Sequence, residues 1–247
     1  MRRTVLITLD GLRRDQITAE TTPNLVAFSR QAESFACYRT VFPSCTRVVS
    51  ASIATGCFPA RHELQGNSMV LAENGVLVPH DAGRPDFLQQ KRKVTGRSLA
   101  VPTLAERLST VGGAVVFSNV SPGAAYAHDP DGYGHVYHRA GSFGPERVPV
   151  AEADELRVQP DLAGDRMMTE RFIREVLFER RPALGVLWLG TPMLPGIITP
   201  WARLSILRSE AIGFASARGD GSHANPPRRG RRYPADDRLR PRSSNRD

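Results

Sequence analysis

Two oxygen-bearing side chains near the amino terminus stand where α/β proteins often carry out chemistry. Asp10 follows the apolar run TVLITL and precedes Gly11, and Thr46 follows Pro43 at the start of the helix-like run TRVVSASIAT. Ligands of α/β proteins collect at the carboxyl ends of strands, which is where Asp10 is expected to lie. A hydroxyl at a helix amino terminus faces free backbone N–H groups, which suits Thr46 to a phosphate and to a lowered hydroxyl pKa.

Both positions also have a purely structural interpretation. An Asp-Gly pair is common in turns, so Asp10 could serve only to turn the chain after its strand. Ser44 or Thr46 could serve only to cap the following helix. Cys45 lies between them and has no assigned chemistry. Position alone does not separate the two interpretations.

Alternating strand and helix patterns indicate the elements that would position these residues. TVLITL (4–9) predicts a strand buried on both faces, and SFACYRTV (34–41) predicts a second strand. Between them a helix is expected, with Thr22 as N-cap, Pro23 at its first position and Leu25, Phe28 and Ala32 on one face. TRVVSASIAT predicts a short helix that ends at Gly56.

The same alternation continues to residue 190. Thr103 and Glu106 have capping-box spacing and predict a helix start, and AVVFSNV (114–120) predicts the next strand. Residues 165–180 predict a helix and ALGVLWLG predicts a strand, whereas the Gly, Pro and charge content of 121–160 indicates a long surface excursion. The alternation indicates a parallel sheet with helices on both faces.

The basic character of the chain is concentrated at its carboxyl end. Of 33 Lys and Arg against 25 acids, residues 191–247 hold 11 Arg and 5 acids, which leaves 22 against 20 in residues 1–190. Beyond a weak helical patch at 204–212, residues from 218 onward are too poor in apolar side chains to order themselves. We therefore expect two parts, a folded part over 1–190 and an aberrant, basic, disordered tail over 191–247.

Other function classes find little support. The tail arginines Arg228, Arg229, Arg231 and Arg232 are interleaved only by Tyr233, so no specific nucleic-acid binding is expected. Three cysteines without a C-x-x-C pair argue against a disulfide framework or a zinc knuckle. With no signal peptide core and no 18-residue apolar stretch, the chain is expected to be soluble and cytoplasmic, without a membrane partner. The oligomeric state is left open.

Three motifs in order carry a family resemblance. VLITLDGLRRDQI, TPNLVAFSRQA and FPSCTRVVSASIATGCFPARHELQGN together resemble the amino-terminal third of the nucleotide pyrophosphatase/phosphodiesterase family, within the alkaline phosphatase superfamily. The resemblance implies a three-layer α/β/α fold with a mainly parallel central sheet. It also implies a metal-dependent hydrolase of phosphodiester or phosphoanhydride bonds that acts on a small phosphate-ester or nucleotide substrate.

The resemblance also implies roles for individual residues. Thr46 corresponds to the nucleophile and Asp10 to a carboxylate ligand of one of two zinc ions, which Thr46 also binds. Asn67 corresponds to the amide that holds a phosphoryl oxygen. His62 matches a family histidine that is not a metal ligand, so we expect a structural role for it. Five further zinc ligands must come from elsewhere in the chain.

The sequence departs from the family after LGVLWLG. The family continues there with Asp-x-x-x-His, then an Asp-His pair and a final His, whereas this chain continues TPMLPGIITP and its single later histidine is His223. Read in a neighbouring frame from Gly190, degenerate codons permit Asp-Ala-Thr-Arg-His. The sequence therefore predicts a truncated or frameshifted chain after about residue 190, with a fold incomplete at the carboxyl terminus. The alternative to an active hydrolase is a catalytically incomplete remnant that lacks most zinc ligands.

Two other sites can be weighed against this one. The segment HDPDGYGHVYH is rich in metal-ligating residue types, but its spacing fits no zinc pattern and its Gly and Pro content fits a flexible loop. Its candidate ligands are His128, Asp129, Asp131, His135 and His138. A sulfatase would need Pro two residues after Cys45, and Arg47 stands there instead. The threonine site therefore remains the favoured interpretation.

Overall fold

The computed structural model describes residues 3–35 and 37–191. The predicted disordered tail and the helical patch at 204–212 lie outside the described residues. The strands are β1 (Thr4–Leu9), β2 (Ser68–Glu73), β3 (Val76–Asp81), β4 (Ala114–Ser118), β5 (His135–Tyr137) and β6 (Leu184–Leu189). The helices are α1 (Pro23–Ser29), α2 (Thr46–Thr55), α3 (Pro59–His62), α4 (Phe87–Thr95), α5 (Leu104–Leu108), α6 (Pro122–Tyr126) and α7 (Leu162–Phe172).

Four strands form a parallel sheet in the order β1-β6-β4-β5. Strand β6 is the last of these in the chain but lies between β1 and β4, and its register with β1 runs from Thr4↔Leu184 to Leu9↔Leu189. A second sheet is the antiparallel hairpin β2-β3. The predicted α/β fold with a mainly parallel sheet is confirmed. Because the strands run the same way, the residues that follow β1, β6 and β4 meet at one edge of the sheet.

Apolar side chains on the two faces of this sheet form two cores. On one face Val116 and Val186 pack with Ala51 of α2 and Ala125 of α6. On the opposite face the sheet packs against α7 and the π-helical stretch Ile173–Arg180 that continues it. The strand residues of this second core are Val115, Phe117, Leu187 and Leu189, and the helical ones are Met168, Phe172 and Val176. The architecture is therefore three layers, α/β/α.

The helix boundaries follow the expected capping residues. Thr22 is the N-cap of α1, and the Oγ1 of Thr103 accepts a hydrogen bond of 3.2 Å from the backbone N–H of Glu106 at the start of α5. Gly56 ends α2 with φ of 68°, a left-handed conformation that glycine adopts at no steric cost. Within the described part of the chain, no helix is long and apolar enough to cross a membrane.

Two strand predictions need correction. β1 is present but is not buried on both faces, because it is an edge strand of the described sheet and Val5 and Ile7 are 42% and 37% exposed. SFACYRTV forms no strand in its described residues, and Phe35 and Tyr38 lie largely in solvent. Among the residues that the structure describes, no strand pairs with this segment, so local pattern alone does not produce a strand there.

The interpretation of residues 121–160 as a surface excursion is wrong for residues 122–144, whereas most of residues 145–160 do lie at the surface. The segment contains α6 and β5, and most of its residues from 123 to 138 are buried. Its glycines mark close packing rather than flexibility, since a Cβ at Gly123 would collide with the carbonyl of Ala82 and one at Gly134 with that of Ala114. The β2-β3 hairpin was also missed, although Asn74 and Gly75 at its turn have the positive φ values of 51° and 82° that tight hairpins favour.

Candidate active site at the carboxyl edge of the sheet

Asp10 leaves β1 at the carboxyl edge of the sheet. Its backbone N–H donates to the carbonyl of Leu189 at 3.0 Å, and Gly11 then turns the chain with φ of 73°. Its Oδ2 accepts a hydrogen bond from the Oγ1 of Thr46 at 3.4 Å and another from the indole N–H of Trp188 at 3.4 Å. Burial raises the pKa of the Asp10 carboxyl, and the hydrogen bonds from Trp188 and Thr46 act in the opposite direction. Asp10 therefore does more than turn the chain, because its carboxylate links three elements.

Thr46 is the first residue of α2. The N-cap is Cys45, in an extended conformation, and no side chain accepts a hydrogen bond from the first turn as a cap. The capping interpretation of Ser44 and Thr46 is thus wrong, and Ser44 is exposed. The Thr46 hydroxyl instead points to Asp10, and the uncapped backbone N–H groups at this helix end carry positive partial charge. The structure therefore brings together two of the three predicted site residues.

Arg47, which the sequence analysis did not assign, joins α2 to the hairpin. Its Nη2 lies 3.6 Å from the Oδ1 of Asp81 at the end of β3, and its guanidinium packs on Gly83. The side chain is 19% exposed. The only sequence signal was a single arginine directly after the candidate nucleophile. Its contacts could not be read from the sequence because the hairpin had not been predicted.

Asn67, the third predicted residue, immediately precedes β2 and is exposed. Its backbone carbonyl accepts a hydrogen bond of 2.8 Å from the N–H of Ala82, which stands between Asp81 and Gly83. The base of the hairpin therefore places Asn67 beside the segment that Arg47 contacts. The Asn67 side chain is not hydrogen-bonded to Thr46 or Asp10 in the structure, so Asn67 joins the site through the hairpin rather than by direct contact.

His62 has a structural role. The backbone N–H of Leu64 donates to its Nδ1 at 3.1 Å, so the proton is on Nε2, which donates to the Oγ of Ser52 at 2.8 Å. The ring is fully buried. Burial, and secondarily the charge of Lys91, lowers the pKa of His62 to about 4. The neutral ring thus ties α3 to the middle of α2 and holds that helix in place.

The rival histidine-rich segment does not form a metal site. Asp129 accepts hydrogen bonds from the backbone N–H groups of residues 132, 133 and 134, and Asp131 binds Arg92 and Ser98. His138 is held by the carbonyl of Val120. Within residues 3–35 and 37–191, no three His, Cys, Asp or Glu side chains form a group that could hold a metal ion. These residues stabilise a folded segment instead.

A polar cluster secures the end of β6, next to Asp10. The buried carboxylate of Asp165 accepts hydrogen bonds from the side-chain amide of Asn119 at 2.9 Å and from the backbone N–H of Thr191 at 2.7 Å. The Nη1 of Arg139 donates to the Oδ1 of Asn119 at 2.9 Å. Thr191 stands where the family resemblance led us to expect an acidic turn. In the described part of this edge, Asp10 and Thr46 are therefore the side chains that could serve as metal ligands. Thr191 is already hydrogen-bonded to Asp165.

Two oxygen donors fit only part of a zinc centre. A catalytic zinc ion takes three protein ligands, usually with at least one imidazole or thiolate. Asp10 and Thr46 are chemically suitable as two of them, and their oxygens lie 3.4 Å apart. The described residues do not by themselves fit a complete zinc site.

Comparison with known proteins agrees with this geometry. The crystal structure of phosphonoacetate hydrolase from Sinorhizobium meliloti 1021, in complex with phosphonoacetate, is similar with a TM-score of 0.52 and 18% sequence identity. The similarity covers 78% of this chain and 49% of that one, so the chain spans about half the length of that structure. At this identity the likeness shows the fold alone, and it confirms the α/β architecture with a mainly parallel sheet. No curated protein sequence matches the chain.

A family model supplies the stronger relationship. The model described as type I phosphodiesterase / nucleotide pyrophosphatase matches residues 4–192, which includes β1, α2 and the strand β6 that places Trp188 against Asp10. The matched span therefore contains the whole of the site described above. With more than half of its length matched, the chain belongs to the type I phosphodiesterase / nucleotide pyrophosphatase family.

Proposed function

We propose that this chain hydrolyses phosphodiester or phosphoanhydride bonds of a small phosphate-ester or nucleotide substrate, with Thr46 as the nucleophile. The observation that carries the proposal is the pairing of the Thr46 hydroxyl with the Asp10 carboxylate at the carboxyl edge of the sheet. That edge is where α/β proteins bind their ligands. The family to which the chain belongs supports the reaction class.

The proposed reaction has two displacement steps at phosphorus. In the first, the Thr46 hydroxyl releases its proton as Oγ1 forms a bond to phosphorus, the bond to the leaving oxygen breaks, and that oxygen departs with the electron pair and takes up a proton. In the second, water releases one proton as its oxygen forms a bond to phosphorus, the bond to Oγ1 breaks, and Oγ1 takes up a proton, which restores the Thr46 hydroxyl. Asp10 orients the hydroxyl and accepts its hydrogen bond. The uncapped N–H groups of α2 face the negative charge that grows on the phosphoryl oxygens.

Two further assignments belong to the same proposal. Asp10 and Thr46 would supply two of the ligands of a zinc ion, and such an ion would lower the pKa of a coordinated hydroxyl. Asn67 donates its side-chain amide to a phosphoryl oxygen. Support for Asn67 comes from its position beside the segment that Arg47 contacts.

Hydrolysis of a bis-nitrophenyl phosphodiester tests the proposal. The full chain is assayed with and without added zinc, together with Thr46→Ala and with Ser44→Ala as a matched control, because Ser44 is an exposed hydroxyl in the same loop. We expect zinc-dependent release of nitrophenol that Thr46→Ala abolishes and Ser44→Ala leaves unchanged. Absence of turnover in the unmodified chain at all zinc concentrations would contradict the proposal and favour the catalytically incomplete remnant.

A further inference from the structure

Arg47 holds a guanidinium group whose hydrogen-bonding capacity is largely unused. Its Nε is buried and has no hydrogen-bond partner among the described residues. Its one ion pair there is a long contact of 3.6 Å from Nη2 to the Oδ1 of Asp81, whose own side chain is 61% exposed. A guanidinium carries five N–H donors, and burying such a group without acceptors costs free energy.

The position of this guanidinium is fixed by the surrounding backbone. A Cβ at Gly83 would lie 2.5 Å from Cζ and 2.7 Å from Nε of Arg47, so the absence of a side chain there makes room for the group. The loop that carries Gly83 is itself held, since the Gly83 N–H donates to the Oδ1 of Asp81 at 2.7 Å and its carbonyl accepts from Gly123 at 3.1 Å. The surrounding backbone therefore fixes the position of the guanidinium against Gly83.

The residue that carries this guanidinium is the neighbour of the proposed nucleophile in the chain. Arg47 directly follows Thr46 in the first turn of α2, while its side chain reaches the base of the hairpin beside Asn67. An anion bound at the Thr46 hydroxyl would thus be within reach of the N–H donors of the Arg47 side chain. The planar fork of arginine matches the spacing of two phosphoryl oxygens and binds them bidentately.

We infer that Arg47 binds the unesterified oxygens of the substrate's phosphoryl group beside Thr46. The inference rests on the proposed function for the position of the substrate. It requires a substrate with at least one charged phosphoryl oxygen, as in phosphodiesters, monoesters and anhydrides, and it excludes neutral triesters. It also assigns Gly83 and Asp81 as residues that position the guanidinium.

Titration calorimetry with inorganic phosphate tests the inference without any turnover. The full chain, kept in a metal chelator at constant salt, is compared with Arg47→Gln, Arg47→Lys and the control Arg84→Gln. The guanidinium of Arg84 is exposed and pairs with Asp86 at 3.1 Å, so it is an arginine of the loop that carries Gly83 and already has a partner. Every variant retains residues 192–247, so the tail arginines contribute equally to all of them.

We expect Arg47→Gln to weaken phosphate binding by about tenfold or more, because a charge-assisted bidentate contact is lost. Arg47→Lys should recover part of the affinity, and Arg84→Gln should bind like the unmodified chain. Equal binding by Arg47→Gln and the unmodified chain, or no binding by either, would overturn the inference. Should Arg47→Gln fail to fold, NMR provides a second measurement on the unmodified chain. If added phosphate does not shift the Nε–H resonance of Arg47, the inference is also overturned.

The outcome separates this inference from the proposed function. Phosphate affinity that depends on Arg47, together with absent hydrolysis, would contradict the proposed function alone. Hydrolysis that depends on Thr46, together with phosphate affinity indifferent to Arg47, would contradict this inference alone.

Discussion

The Oγ1 of Thr46 lies 3.4 Å from the Oδ2 of Asp10, although 36 positions separate the two residues in the chain. The contact forms because Asp10 leaves β1 at the carboxyl edge of the sheet and α2 begins at the same edge. Trp188, from the neighbouring strand β6, donates to the same Oδ2. Three separate elements thus fix the carboxylate and the hydroxyl relative to each other.

Gly185→Ala should destabilise the packing of β6 against the helix that follows α7. A Cβ there would lie 2.7 Å from Cγ1 of Val176 and 3.1 Å from Cζ of Phe172. Overpacking of this kind costs about 1–3 kcal/mol in the free energy of unfolding, which urea denaturation measures. Val176→Ala should lower the free energy of unfolding by less in the Gly185→Ala background than in the unmodified protein, because the smaller side chain at position 176 removes the clash. Equal costs in the two backgrounds would show that these residues do not meet.

His128→Leu should make the protein less sensitive to mild acid. His128 is buried, its Nε2 lacks a partner among the described residues, and burial lowers its pKa to about 4. Since an unfolded histidine titrates near pH 6.5, the unfolded state binds more protons between pH 6.5 and 4, and the free energy of unfolding falls as the pH falls through that range.

The expected difference for His128 can be measured by urea denaturation at pH 7 and pH 5. The unmodified protein should lose about 2 kcal/mol more than His128→Leu over this interval, from a pKa difference converted at about 1.4 kcal/mol per unit. His62 and His138 remain in both proteins, so their own titration cancels in the comparison. The same loss of stability in both proteins would refute the assignment of acid sensitivity to His128.

Gly83→Ala should weaken phosphate binding through Arg47. The added methyl group would occupy the place of the Arg47 guanidinium and would displace the guanidinium from its position against residue 83. A double-mutant cycle distinguishes this effect from a general disturbance of the loop. Gly83→Ala should reduce phosphate affinity in the unmodified chain and have no further effect in Arg47→Gln. Additive losses would mean that Gly83 acts independently of Arg47.

Much of the fold could be predicted from local patterns. The strands β1, β4 and β6 are short apolar runs, and α2 and α5 carry their own end signals in Gly56 and Thr103. The interpretation of 121–160 as a surface excursion is wrong for residues 122–144, because Gly123 and Gly134 do not indicate flexibility but allow backbones to approach closely. Whether a glycine turns, bends or packs depends on contacts that local sequence does not contain.

The site was predictable to a different extent for each residue. Asp10 and Thr46 could be found because each stands at the end of a recognisable element, and their proximity follows from a parallel sheet. Arg47 could not be identified from the sequence, because its contacts are with Gly83 and with the β2-β3 hairpin, which was not predicted. The roles of Thr46, Asp10 and Asn67 in catalysis remain predictions that need a chemical test.

Direct detection of the covalent intermediate tests the central claim. The full chain, supplied with zinc and a nitrophenyl phosphodiester, is quenched in acid during turnover, digested with trypsin and examined by mass spectrometry. The peptide over residues 40–47 contains Thr40, Ser44 and Thr46, and fragmentation identifies which hydroxyl carries the phosphoryl group. We predict an adduct on Thr46 that is absent from Thr46→Ala. An adduct on another residue, or turnover without any adduct on this peptide, would contradict the account.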